Sequence, residues 1–189
     1  MKFVCEKNTL VNAISIVSRT VSPKSSLAFL EGIYMAAGEE LRLTGYNLET
    51  GITVCMDARI RQTGECVMPA RMFADIIRKL PDEVVSVDVD ENYRVTIKGG
   101  VASFQLMASA ADEYPQLPAV EEAGAIRLPQ NALREMISGT IFAVSNDTAN
   151  AIYTGCLVEV RRTPSPWWPS TAIAWRSGPS GWRARPSPP

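Results

Sequence analysis

The chain has 189 residues, a formal net charge of −1 and no histidine, which removes the commonest general base and the commonest zinc ligand. That near-neutral total hides a split: residues 1–160 carry a net charge of −6, whereas 161–189 hold five Arg, no acid, all four Trp and seven of the 13 Pro. Met1–Leu10 contains no long apolar core of a secretory signal and no apolar run approaches bilayer length, so the sequence reads as cytoplasmic, with Cys5, Cys55, Cys66 and Cys156 as scattered thiols without metal-ligand spacing.

In chain order, a short strand over Met1–Glu6 leads into an amphipathic helix over Lys7–Ser22. Leu10, Ala13, Ile14, Val17 and Val21 form its apolar stripe, Asn8 or Thr9 its cap, and Pro23 its stop. Leu27–Ala36 reads as a strand, Gly38-Glu39-Glu40 as a hairpin turn, Leu41–Gly45 as the returning strand and Ile52–Ile60 as another. Cys66–Pro69 is a short strand ahead of a second helix, Ala70–Leu80, which buries Phe73, Ile76, Ile77 and Leu80. Val84–Val89, Tyr93–Lys98 and Val101–Met107 form a meander with turn residues between them. The acidic, Pro-containing stretch Asp112–Ala125 reads as a linker.

The opening pattern then returns 123 residues on. Ile126–Leu128 is an extended lead-in and Pro129–Ser145 a helix, with Leu133 matching Leu10, Met136 matching Ala13 and Ile137 matching Ile14. Thr154–Val160 is the strand that follows. The chain therefore reads as an α+β fold, antiparallel sheet backed by two helices per repeat. One complete domain spans 1–120, a partial second copy 121–160, and a non-native-looking, disordered tail 161–189.

No catalytic constellation is present. Gly99-Gly100 is a turn rather than a phosphate loop, the Ser residues lack a His partner, and Asp88 and Asp90 fit a solvated turn better than a metal site. The sequence thus calls for no catalytic residue, no metal and no cofactor. What remains is charge. Arg19, Arg71, Arg78, Lys79 and Arg134 lie on the polar sides of the helices and Lys24 follows the first helix, a pattern that fits a phosphate-tracking surface on an acidic body. The same charges, Arg78 and Lys79 especially, also suit helix C-termini.

Several separated motifs carry a family resemblance. They are Met1-Lys2-Phe3, the run Leu-Thr-Gly-Tyr-Asn-Leu-Glu-Thr-Gly at 43–51, Pro-Ala-Arg-Met-Phe-Ala-Asp-Ile-Ile-Arg-Lys-Leu-Pro at 69–81, Tyr114-Pro115-Gln116-Leu117-Pro118, and Thr140–Ser145 followed by Thr154-Gly155-Cys156-Leu157. In order and spacing residues 1–160 resemble the bacterial sliding clamp, the beta subunit of DNA polymerase III. The resemblance implies a non-enzymatic processivity factor. Subunits of three repeats join head to tail as a homodimer ring around double-stranded DNA, and a hydrophobic cleft receives peptides of the replicative polymerase and the clamp loader. Lys24, Arg71 and Arg78 fall on basic family positions, Asp147 near a position usually polar and uncharged, and Tyr153 at the border of the partner-peptide cleft. The rival reading is a small α+β interaction module that caps an intact clamp.

After Val160 the resemblance stops. Read one base out of frame, Trp167-Trp168 forces valine, Trp168-Pro169 forces alanine, and the CGN codons of Arg176 after Trp175 force alanine. The family string Val-Ala-Val-Asp-Gly-Tyr-Arg-Leu-Ala is permitted at every position there. The expectation is an out-of-frame tail from about residue 161, most of the cleft lost with it, a truncated chain unable to close a ring, and Leu133, Ile137, Ile141 and Leu157 left poorly covered.

Overall fold

The computed structural model describes residues 1–22, 27–119, 127–147, 149, 151–162 and 171–176. It divides into two units, Met1–Ala119 and Val120–Pro189. Among the described residues no helix is long and apolar enough to cross a membrane.

In the first unit, β1 (Lys2–Glu6) runs into α1 (Lys7–Val17), and β2 (Gly32–Ala37), β3 (Leu41–Tyr46) and β4 (Gly51–Met56) form a meander. After β5 (Arg59–Gln62), the plan repeats. β6 (Gly64–Pro69) runs into α2 (Ala70–Lys79), and β7 (Val84–Val89), β8 (Arg94–Gly99) and β9 (Ala102–Met107) form a second meander. The strands make two antiparallel sheets, β5-β1-β7-β8-β9 and β4-β3-β2-β6. Each half therefore gives its first strand to the other half's sheet. The registers agree with an internal two-fold in which residue n of the first half matches n+63 at the lead strand and helix: Phe3 pairs with Val87 while Cys66 pairs with Met35. Val4 pairs with Arg59 while Val67 bridges Ser109. On the helices, Leu10 and Ile14 correspond to Phe73 and Ile77, all four buried.

One core results. Phe3, Val87 and Ile97 from one sheet meet Met35, Leu43 and Met68 from the other, with Leu10, Ile14, Phe73 and Ile77 from the helices among them. The apolar stripes of both helices are buried where periodicity places them. Several expectations change in detail. The first helix ends at Val17 and tightens into a 3₁₀ turn over Ser18–Thr20, with the Thr20 hydroxyl donating to the Val17 carbonyl at 2.9 Å. Neither Asn8 nor Thr9 caps it: Glu6 holds the cap position, and the Thr9 hydroxyl donates to its carboxylate at 2.9 Å. Ala28–Glu31 is a 3₁₀ turn ahead of β2. The long strand expected over Ile52–Ile60 breaks at Asp57-Ala58, and its two parts join different sheets. Gly45 in β3 is required by close approach, since a Cβ there would collide with the Val17 carbonyl oxygen at the end of α1.

The linker begins later than its composition suggests. Tyr114 is buried, stacks on Tyr34 at 5.3 Å between ring centroids, and donates its hydroxyl to the Thr44 carbonyl at 3.2 Å. Leu117 lies against Gly51. An acidic, proline-containing stretch thus starts as a strap on the second sheet, because one aromatic ring outweighs its polar neighbours.

The second unit holds α3 (Gln130–Ser138), short 3₁₀ turns over Ile141–Ala143 and Ala151–Tyr153, and a hairpin of β10 (Leu157–Arg162) and β11 (Thr171–Arg176). The helix expected to run through Ser145 stops at Gly139, and the Thr140 hydroxyl turns back to the Met136 carbonyl at 2.9 Å. The tail, expected without structure, carries β11, paired from Thr171 opposite Arg162 to Arg176 opposite Leu157. Its alternating Thr-Ala-Ile-Ala-Trp-Arg pattern, rich in β-branched and aromatic residues, suits a strand. No residue of α3 is buried.

Two outcomes are expected. Tyr114→Ala removes a buried ring, its stack and a hydrogen bond, and should lower the unfolding free energy of the first unit by about 3 kcal/mol in a urea titration. Burial pushes the Cys5 and Cys66 thiols up to about 12, against an unfolded value of about 8.5. The unfolded chain therefore sheds these protons first as pH rises. Stability is complete below about pH 8.5 and drains away toward pH 12, so thermal midpoints should fall over that window, and less steeply in the Cys5→Ala/Cys66→Ala protein.

Candidate nucleic-acid interface

α1 and α2 pack side by side. Their stripes face one core, so their polar sides turn outward together. On α1 this side holds Asn8, Thr9, Asn12 and Ser15, all exposed, with Arg19 exposed in the turn that follows. On α2 it holds Arg71, Asp75, Arg78 and Lys79, also exposed. Asp75 is the one acid within α1, its 3₁₀ extension and α2. Elsewhere the unit is studded with exposed carboxylates, Glu39, Glu40, Glu49, Asp57, Glu65 and Asp90 among them. The helix pair is thus a locally cationic surface on an acidic body.

The cations of that surface differ in setting. Arg78 and Lys79 sit in the last turn of α2, where the helix dipole favours positive charge. Arg78 approaches Asp75 one turn back, Nη1 to Oδ1 at 3.9 Å with both side chains more than half exposed, an ion pair worth little in water. Arg71 stands in the first turn of the same helix, about 10 Å away along the axis, where the dipole disfavours a cation. Its position there is not explained by helix stability. Arg71 also borders a cleft of about 460 Å³ shared with Phe29, Asp75, Met72 and Met107.

Arg134 is exposed on α3 in the second unit. Lys24 lies outside the described residues. Asp147 closes a local turn, its carboxylate accepting from the Ala149 amide at 2.9 Å. Tyr153 is 44% exposed, its carbonyl accepting from the Ser145 amide at 2.8 Å, beside Ile152 at 84%.

Lys7, a cation that periodicity places on the first helix, has another use. Its ammonium donates to the Leu80 carbonyl at 2.6 Å, at the C-terminal end of α2. Sequence inspection misses this because the bond spans 73 residues. The two acids weighed as metal ligands are also accounted for. Asp88 pairs with Lys2 at 2.8 Å, and Asp90 accepts from the amides of Asn92 and Arg94, both at 2.9 Å, to close a turn. Among the described residues no three His, Cys, Asp or Glu side chains gather as a metal site.

Residues 1–118 match the family profile described as DNA polymerase III beta subunit, N-terminal domain. The chain belongs to that family. The beta sliding clamp of Bacillus subtilis is 35% identical over 172 residues, covering 86% of this chain and 46% of the relative. That of Halalkalibacterium halodurans is 32% identical over 169 residues, covering 85% of this chain and 44% of the relative. In three dimensions the crystal structure of the Bacillus subtilis sliding clamp superposes with a TM-score of 0.83 at 34% identity, covering 86% of this chain and 45% of that one. The chain spans less than half the length of the curated relatives it matches.

Replacing Lys7 by Met should separate structure from surface charge. Removing the charge-assisted bond to the Leu80 carbonyl is expected to cost about 1–2 kcal/mol in chemical denaturation. The cations on the outward side of α1 and α2 are untouched by this change.

Proposed function

We propose that this chain works as part of a DNA-encircling processivity clamp, non-catalytic and free of cofactors, with the outward side of α1 and α2 turned toward duplex phosphates. The acid-poor face of the helix pair carries this reading: Arg19, Arg71, Arg78 and Lys79 stand there against the single Asp75. Long cations without shaped recesses for bases bind phosphate, and phosphate binding is sequence-blind, which is what a ring that moves along DNA requires. In this role Lys24 and Arg134 extend the cationic lining, the family's ring forms by head-to-tail pairing of subunits with three repeats, and the protein acts in the cytoplasm. Tyr153 belongs to the border of a cleft for peptides of the polymerase and the clamp loader, and its exposed apolar surroundings support that part of the reading. The domain division at 1–120, 121–160 and 161–189 goes with it, the last segment being an out-of-frame translation. Nucleotide sequence across codons 158–178 tests that element, since a shifted frame without a clamp-like continuation rules it out.

A second reading, a module that caps an intact clamp through the first unit, draws on β9. This strand ends its sheet with Phe104 and Met107 exposed, an edge able to accept another strand. Gel filtration with an intact clamp distinguishes the two, a mixed species favouring the cap.

The charge reading has a direct test. The 189-residue chain should bind a fluorescent duplex of arbitrary sequence at low salt, with affinity falling steeply as salt rises. Arg78→Ala/Lys79→Ala should weaken binding several-fold for every sequence and flatten the log–log salt slope by up to about 1.8, roughly 0.9 for each phosphate no longer neutralised. An unchanged slope would assign these two cations to the helix dipole instead.

A further inference from the structure

The first unit shows how a half of this fold is completed: by another half related through a two-fold. Each half consists of a lead strand, a helix and a meander, and each lead strand pairs with the first meander strand of the other half. Among its described residues the second unit carries one such half only, the segment 127–129, α3, and the hairpin β10–β11. Residue n of the first half matches n+123 here. β10 therefore stands where β2 stands. β2 is flanked by β3 and β6, whereas β10 has β11 on one side and no described strand on the other.

Exposure follows the same logic. Cys5, Leu10, Ile14 and Met35 are 6, 0, 1 and 0% exposed, while their counterparts Leu128, Leu133, Ile137 and Val158 are 37, 38, 38 and 49% exposed. By the same offset these four share one face, while Phe142 stands where the outward Arg19 stands and Leu157 where Tyr34 stands, away from it. At on the order of 70 Å² each the four offer roughly 300 Å², the size of the largest patch on a typical monomer.

We propose that a second copy of this chain covers that face. Two second units join through a two-fold, α3 against α3 as α1 lies against α2, each copy laying residues 127–129 along the open edge of the other's β10. Among the described residues the half is self-complementary, since it owns one lead segment and one open edge, which is what an isologous interface needs. The charges do not oppose it: α3 carries one Arg and one Glu, Arg134 and Glu135. The register follows from the first unit. Cys5 pairs with Val85 and, in the related position, Met68 pairs with Ile33. The same geometry sets Leu128 opposite Cys156 of the other copy.

This proposal stands apart from DNA binding and is tested on the whole 189-residue chain. Light scattering during gel filtration at about 50 µM should give twice the chain mass, and Leu133→Asp/Ile137→Asp should halve it. Because neither residue is buried in the single chain, thermal unfolding of the first unit should be the same in both proteins. In a Cys55→Ser background, which removes the exposed thiol, Leu128→Cys should give a disulfide-linked pair through native Cys156 under mild oxidation, since register partners lie within disulfide reach. Arg127→Cys, one residue out of phase and on the other face, should not. A single-chain mass at 50 µM overturns the proposal, as does equal cross-linking, or none, at positions 127 and 128.

Discussion

The first unit depends on one constraint: the lead strand of each half is held by the other half. β1 is useless as a free edge and β6 equally so, but exchanged between halves they close two sheets over a common core. This makes the two α-helices neighbours, because each helix follows directly from a strand embedded in the opposite sheet. Helix placement is thus a product of strand pairing, and the cationic surface is in turn a product of helix placement. A substitution in the lead strands, Phe3 or Cys66 for example, reaches the outward face without touching it, by loosening the strand from which the helix departs.

Much of this is written in local patterns. The stripes of α1 and α2 and the alternation in β7 and β8 announce both the elements and their buried sides, since a period of 3.6 or 2 survives wherever one face meets a core. The return of the opening pattern after 123 residues shows in the same way. Long-range features do not show. The strand expected over Ile52–Ile60 has continuous alternation, and only its partners, β3 on one side and β1 on the other, reveal that it is two strands. Tyr114 looks like part of a linker until Tyr34 and Thr44 are brought to it by the sheet. Lys7 is only the first residue of the expected helix until the end of α2 arrives beside it. The cations Arg19, Arg71, Arg78 and Lys79 are legible as a group because helical spacing alone assigns them to one side, whereas the isolation of Asp75 among them requires both helices in place.

The two units also show what periodicity leaves undecided. Leu10 and Leu133 occupy equivalent helical positions with equivalent neighbours in sequence, yet one is fully buried and the other is not. An amphipathic helix specifies that it has an inside without supplying it. The supply comes from a partner element, in the first unit from the same chain 63 residues later.

Asp75 gives the outward face a character beyond its sign. In the proposed role, a surface lined only with arginines would hold the duplex in deep, evenly spaced wells, one at each alignment of cation and phosphate. A carboxylate placed between Arg71 and Arg78 fills in part of each well, since the same shift that improves one ion pair brings a phosphate nearer to the acid. With phosphates about 3.4 Å apart along each strand, a flexible arginine side chain can hand one over while reaching for the next. The helix pair then offers DNA a shallow, nearly level track, in which retention is left to the closed shape of a ring and the surface itself contributes low friction.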